Sequence, residues 1–246
     1  MKIKYIILLL SVATVFDACN FSQKKNEHIR VLLITGGHDF DKEAFYSFVY
    51  SLSGISVTEV KHPDALSMFE PANRGSYDVV LLYDMPAKIS EDEKQNFIDC
   101  LEKGKGLVVL HHAYCSYQRW DEYETIVGGR YHEKRWTDSE GVERPASSFK
   151  HDVQFSVKVA DSQHPVTNGI ADFEIIDETY KNGVVSPDVH VILTTDEITS
   201  TPSIAWTNQY GKSKVVTILL GHDNNAWSNT NFVKLVEQAV TWVNID

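Results

Sequence analysis

Three separate stretches of this 246-residue chain run apolar and then finish in histidine. Arg30 to Thr35 leads into Gly36-Gly37-His38-Asp39, Leu107 to His111 ends in the pair His111-His112, and Lys214 to Leu220 leads into Gly221-His222-Asp223. A fourth run, Tyr77 to Tyr83, stops at Asp84. In an open parallel sheet, ligands bind beyond the carboxyl ends of the strands, so these imidazoles are expected along one edge. His132, His164 and the pair Asp177-Glu178 lie on connections that reach the same edge. An imidazole takes and gives protons near neutral pH, and together with a carboxylate it can ligate a divalent metal. The strand-end histidines together with Glu178 are therefore the candidate acid–base groups, or the candidate ligands of a divalent metal.

Spacing alone argues less for a metal than for acid–base work, because no helical i, i+4 histidine pair and no cysteine cluster exists. The alternative for any one of these histidines is a helix cap or a bond to loop backbone. Along a strand, alternation sends His111 and His112 to opposite sides, so one of them at most faces a pocket. Asp84, His112, Tyr117, Trp120 and His132 are the candidate substrate-binding residues. Aromatic and hydroxyl groups near a strand end suit a sugar, whose C–H faces stack on rings. Other chemistries lack their signatures: there is no G-x-S-x-G elbow, no phosphate-cradling G-x-x-x-x-G-K and no G-x-G-x-x-G after the first strand. Cys115 has no flanking glycines and reads as structural.

The elements that must position these groups alternate. Continuous apolar strands are expected at Arg30–Thr35, Ile55–Val60, Tyr77–Tyr83 and Leu107–His111, the pattern of strands buried on both faces. Helices are expected over Asp41–Leu52 and from Ser90, where Glu93 completes a capping box, to Lys103. A short helix over Asp121–Val127 follows. Further strands are expected at Phe149–Ala160, Phe173–Ile176, Val189–Thr194, Ser203–Trp206 and Lys214–Leu220. A last helix, Asn231–Val243, should bury Phe232, Leu235, Val236, Ala239, Val240 and Trp242. The rhythm predicts an α/β fold: a flavodoxin-like, doubly wound, mostly parallel sheet with helices on both faces and extra antiparallel strands in the second half.

With 43% apolar residues the chain supplies a real core, and 34 acidic against 23 basic side chains give a net charge of −11. That charge repels phosphate backbones and argues against nucleic acid as a partner. Lys2 and Lys4 followed by the apolar run Ile6–Phe16 form a signal segment too short to span a bilayer. It ends in Phe16-Asp17-Ala18-Cys19, which resembles the bacterial lipobox with Cys19 as the lipidated residue. Residues 1–18 are thus expected to be a signal peptide, 19–28 a polar tether, and 29–246 one domain. The protein is then expected at the cell envelope, touching the membrane only through its lipid. Ordinary secretory cleavage near Ala18 is the alternative. A Cys100–Cys115 disulfide is a minority option, and the oligomeric state is not legible.

The order of several motifs resembles the ThuA-like (trehalose-utilisation) family: V-L-L-I-T-G-G-H (31–38), Y-D-V-V-L-L-Y-D (77–84), G-K-G-L-V-V-L-H-H-A (104–113), W-D-E-Y-E-T-I-V-G-G-R-Y (120–131), F-K-H-D-V (149–153), H-P-V-T-N-G-I (164–170), D-E-T-Y (177–180), W-T-N-Q-Y-G-K-S-K-V-V (206–216) and L-G-H-D (220–223). The resemblance implies a class I glutamine-amidotransferase-like fold and a link to catabolism of trehalose and oxidised (3-keto) disaccharides. Carried over by motif, His38, His111, His132, Glu178 and His222 would form the site, with His38, His111, Glu178 and His222 as the candidate catalytic residues and all five as candidate ligands of a divalent metal. Amidotransferases of this fold place a nucleophilic cysteine after a central strand; His111-His112-Ala113 occupies that place here, which argues against glutaminase activity. The expected function is an enzyme acting on a small carbohydrate by His/Glu acid–base chemistry, with or without a divalent metal. The alternative is a non-catalytic sugar-binding lipoprotein that works beside neighbouring enzymes.

Overall fold

The computed structural model describes residues 28–244. The signal segment and Cys19 lie outside the described residues. Strand β1 (Ile29–Gly36), β2 (Ile55–Lys61), β3 (Val79–Asp84) and β4 (Gly106–Leu110) alternate with helices α1 (Lys42–Ser51) and α2 (Glu91–Glu102). After α3 (Asp121–Val127) come β5 (Ser148–Val159), β6 (Phe173–Lys181), β7 (His190–Thr194), β8 (Ser203–Tyr210) and β9 (Ser213–Ile218). The chain closes with α4 (Asn224–Trp227) and α5 (Thr230–Val243).

These nine strands form one sheet in the order β2-β1-β3-β4-β9-β8-β7-β5-β6. From β2 to β9 every neighbour is parallel, and from β9 to β6 every neighbour is antiparallel. Side chains alternate between two apolar layers. Val31, Leu33, Val79, Leu81 and Val108 pack with Phe45, Phe48 and Leu235 on one face. Leu32, Ile34, Val80, Leu82 and Val109 pack with Phe97, Leu101 and Tyr114 on the other. This is the doubly wound architecture expected, and the all-buried β3 and β4 explain why those strands read as unbroken apolar runs.

Caps fall where their residues predict. Asp41 accepts from the Ala44 N–H at the start of α1, and Ser90 with Glu93 forms the capping box of α2. In α5 the buried stripe is Phe232, Leu235, Val236, Ala239, Val240 and Val243. Trp242 is only half-buried and lies off that stripe, with its ring against His164 and under the Lys214 ammonium at 5.0 Å. Strand β6 runs five residues past the expected Ile176, so Asp177 and Glu178 sit within a strand and not on a connection. Cys100 and Cys115 are free, buried thiols. No helix among the described residues is long and apolar enough to cross a membrane.

Candidate active site

Strand β4 ends at Leu110, and the chain turns into a 3-10 segment, His111–Cys115. His111 takes a positive φ of 53° there, a conformation costly for a residue with a Cβ and characteristic of functional turns. The turn breaks strand alternation, so the opposite-side expectation fails: both imidazoles stay at the sheet edge, their centroids 5.5 Å apart and nearly perpendicular. Both are buried.

The His111 ring joins Glu178 and His222. His111 Nε2 lies 3.2 Å from Glu178 Oε2 and 3.2 Å from His222 Nδ1, while His222 Nδ1 lies 2.7 Å from the same Oε2. His111 Nδ1 is 2.8 Å from the Leu219 carbonyl, so it must carry a proton. Nε2 of the neutral ring is then an acceptor, served by the Tyr180 hydroxyl at 3.0 Å. Its contact with Glu178 is satisfied only when a second proton or a cation stands between them.

Asp177 fixes this geometry from beneath. Its buried carboxylate accepts from the backbone N–H groups of Gly221 (2.7 Å), His222 (2.9 Å) and Glu178 (2.8 Å). One side chain thereby ties β6 to the turn after β9. A bulge does the rest: Lys150 pairs with Thr179 and Val153 with Asp177, leaving His151 and Asp152 opposite Glu178 alone. Asp152 takes a φ of 55° to allow it. The bulge turns His151 toward the group, with Nδ1 3.8 Å from Glu178 Oε2 and its ring 4.6 Å from that of His222.

Electrostatics separate the members. Burial alone would raise the Glu178 carboxyl, but hydrogen bonds from His111 and His222 outweigh it and hold the acid far below the carboxylate range. The same bond to Glu178 raises His222 above the usual imidazole value against the effect of its burial. Burial lowers His38, with repulsion from His111 and His222 adding to it. His112 is pushed well down by burial, and neither of its ring nitrogens has a hydrogen-bond partner among the described residues. It is sandwiched between His38 (4.5 Å, stacked) and Tyr83 (4.3 Å).

Beside this edge lies a cleft of about 1010 Å³ lined by Gly37, His62, Met85, Tyr117, Trp120 and Glu133 among others, while none of His38, His111, His112, Glu178 and His222 lines it. Gly37 is required there: its φ is +83°, and a Cβ would meet the Met85 carbonyl oxygen at 2.5 Å. Tyr117 and Trp120 edge that cleft, each almost wholly buried at 3% and 6% exposed. Two other candidates do not line it. Asp84 is 1% exposed and bonded to His62, so it cannot touch a ligand directly. His132 stacks on Trp136 at 4.1 Å and 7°, outside the His111–Glu178–His222 group. His38 reaches the ring of His112 and not the three-residue group itself. Tyr180, His151 and Asp177 complete the site. The D-E-T-Y motif carried a signal for Tyr180 and Asp177, and F-K-H-D-V (149–153) carried one for the stretch with His151, though not for the bulge that turns its ring inward.

His111, Glu178 and His222 are the set that could hold a metal, their ligating atoms all lying within 4.8 Å of one another. The donor types fit: tetrahedral zinc with bonds near 2.1 Å separates its ligand atoms by about 3.4 Å, near the two 3.2 Å separations from His111 Nε2, while the 2.7 Å between His222 Nδ1 and Glu178 Oε2 is hydrogen-bond length and would have to widen. A backbone carbonyl holding Nδ1–H, as Leu219 does for His111, is the usual support for an imidazole that ligates through its other nitrogen.

The family model for ThuA, described as trehalose utilisation, matches residues 30–243. No curated protein matches the chain. Among solved structures the chain is similar to a protein described as ThuA-like from Parabacteroides merdae, at 20% identity and a TM-score of 0.73, over 88% of this chain and 90% of that one. A ThuA-like protein from Bacteroides uniformis follows at 18% identity and a TM-score of 0.67, over 89% and 92%. PurLQS from Thermotoga maritima shares 15% identity at a TM-score of 0.53, over 87% and 99%. At these identities the structural likenesses establish the fold, which is class I glutamine-amidotransferase-like.

Proposed function

This chain belongs to the ThuA family, and from that premise we propose that it is an enzyme of carbohydrate catabolism acting on a disaccharide or a 3-keto sugar. The observation that carries the reading is the meeting of His111, Glu178 and His222, from three distant segments, at one point of the sheet edge. Environments that push two titratable groups apart assign acid and base. His38, lowered, is the group placed to take a proton; His222, raised, keeps its proton to higher pH than an ordinary imidazole and is the group placed to give one. Removal of a proton beside a keto-sugar carbonyl needs both: a base near neutral pH and a donor to the carbonyl oxygen. Glu178 balances the charge on His222, and the neighbouring cleft, edged by Tyr117 and Trp120, takes the sugar. A divalent cation held by His111, Glu178 and His222 would supply a Lewis acid for the same carbonyl.

The small carbohydrate is the partner this reading requires, and the net charge of −11 argues against nucleic acid. Placement at the cell envelope rests on the signal-like run and Cys19, and palmitate labelling that disappears in Cys19→Ser would support it. The function is tested by incubating the purified protein with native and 3-keto disaccharides and following products by mass spectrometry. Conversion of at least one substrate is expected. Saccharide that binds and is recovered unchanged across the whole set would leave a non-catalytic binding protein. Zinc, manganese and nickel all at background in the purified protein would remove the metal-assisted version.

A further inference from the structure

Asp84 ends β3 with its carboxylate buried, 2.5 Å from His62 Nε2 through Oδ2. Its other oxygen, Oδ1, has no partner among the described residues. An ionisable group taken out of water with one atom unbonded is costly, and a fold that needed only packing at this point would be served by an apolar side chain. His62 is the residue through which Asp84 can act. It follows β2, and its backbone N–H donates to Thr35 O at 3.0 Å, clipping it to the end of β1. Gly36 leaves it room: a Cβ there would meet His62 N at 3.2 Å and His62 Cβ at 3.3 Å. The His62 side chain is 11% exposed, and what is exposed lines the large cleft. Because Nε2 is committed to Asp84, the nitrogen left without a protein partner is Nδ1.

We propose that His62 and Asp84 form a second proton-transfer site on the cleft wall, separate from the His111–Glu178–His222 group, which takes a hydroxyl of the ligand seated there. That the ligand is a saccharide rests on the function proposed above. Asp84 is the positioning residue: its carboxylate holds the proton on Nε2 and leaves a lone pair on Nδ1, the arrangement by which a buried acid fixes the tautomer of a catalytic imidazole. The hydroxyl proton passes to Nδ1, its electron pair stays on the sugar oxygen, and the Asp84 carboxylate balances the imidazolium formed. The cleft suits such a ligand. Gln118, Glu93 and Glu133 offer polar contacts along its wall, and Tyr117 and Trp120 contribute apolar edges.

Diethyl pyrocarbonate labelling of the full chain at pH 7, read peptide by peptide by mass spectrometry, tests this. The exposed His151 and His190 serve as internal references. His62 should be labelled in the wild-type protein, and about tenfold more slowly in Asp84→Asn, whose amide no longer supports the basic tautomer. Asp84→Glu should restore the rate toward wild type. If Asp84 only propped the ring in place, Asp84→Asn would loosen it and speed labelling. A His62 that resists the reagent, or labels faster in Asp84→Asn, overturns the dyad. Trehalose and 3-keto disaccharides should protect His62 and leave His190 unprotected. Asp84-dependent labelling with no protection by any saccharide would sustain the dyad and count against the proposed substrate class, so the two failures are distinct.

Discussion

The parallel and antiparallel halves of the sheet contribute to the same edge by different means. Strands β1, β3 and β4 end and release their polar residues into turns: His38 after Gly36-Gly37, and His111 and His112 in the turn after Leu110. The antiparallel pair β5 and β6 does not end there. It passes through the site, and Glu178, Tyr180 and His151 are supplied from within strands, the last by a bulge. The parallel half thus offers groups on turns, where small shifts are tolerated. The antiparallel half offers groups on a rigid ladder, with Asp177 locking the ladder to the turn that carries His222. The seam between a held carboxylate and imidazoles on turns is where acid–base geometry is set.

Breaking the rigid side should have the largest effect. Glu178→Gln removes the charge shared by His111 and His222, and kcat/KM on the converted sugar should fall about 10³-fold, read in steady-state assays. Asp177→Ala strips the partner from three backbone N–H groups, and urea unfolding should show a loss of about 3 kcal/mol. Turn-side chemistry should then appear in the pH profile. His38 must be neutral and His222 protonated, so activity should rise through a value below 6.5 and fall through one above it. On the cleft wall, Trp120→Ala should weaken saccharide binding about tenfold by calorimetry. His151→Ala should lower kcat about threefold, since its contact with Glu178 is long and exposed.

Linkage adds a stability test of the same pair. Glu178 is depressed, so its contribution is present above its ordinary value of 4.5 and is lost as pH falls through the folded-state value. His222 is raised, so its contribution is full below 6.5 and is lost as pH climbs through the folded-state value. Melting temperature should therefore gain most from the pair between pH 4.5 and 6.5, and His222→Ala should flatten that window.

The same contrast governs what could be read in advance. Parallel strands buried on both faces announce themselves as apolar runs, and their ends nominated His38, the pair His111-His112 and His222, with the family motif needed to single out His111. Glu178 was legible as a residue type and not as a strand residue, because Phe173–Ile176 alternates while positions 177–180 are all buried, which hides the strand's continuation. His151 depends on one extra residue in β5, a feature of pairing that a single sequence does not encode locally. Asp84 was legible as a strand end, yet burial beneath His62 changes its role from contact to support. His132 follows a Gly-Gly-Arg-aromatic motif, but Trp136 claims its ring.

The central claim is that the gathered imidazoles and carboxylate transform a saccharide held in the cleft. Turnover and binding measured on the same converted 3-keto disaccharide, in wild type, His38→Ala and His222→Ala, test it most directly. The account predicts that both variants lose turnover while their calorimetric affinity for the sugar stays within a few-fold of wild type. Undiminished turnover in either variant would contradict it.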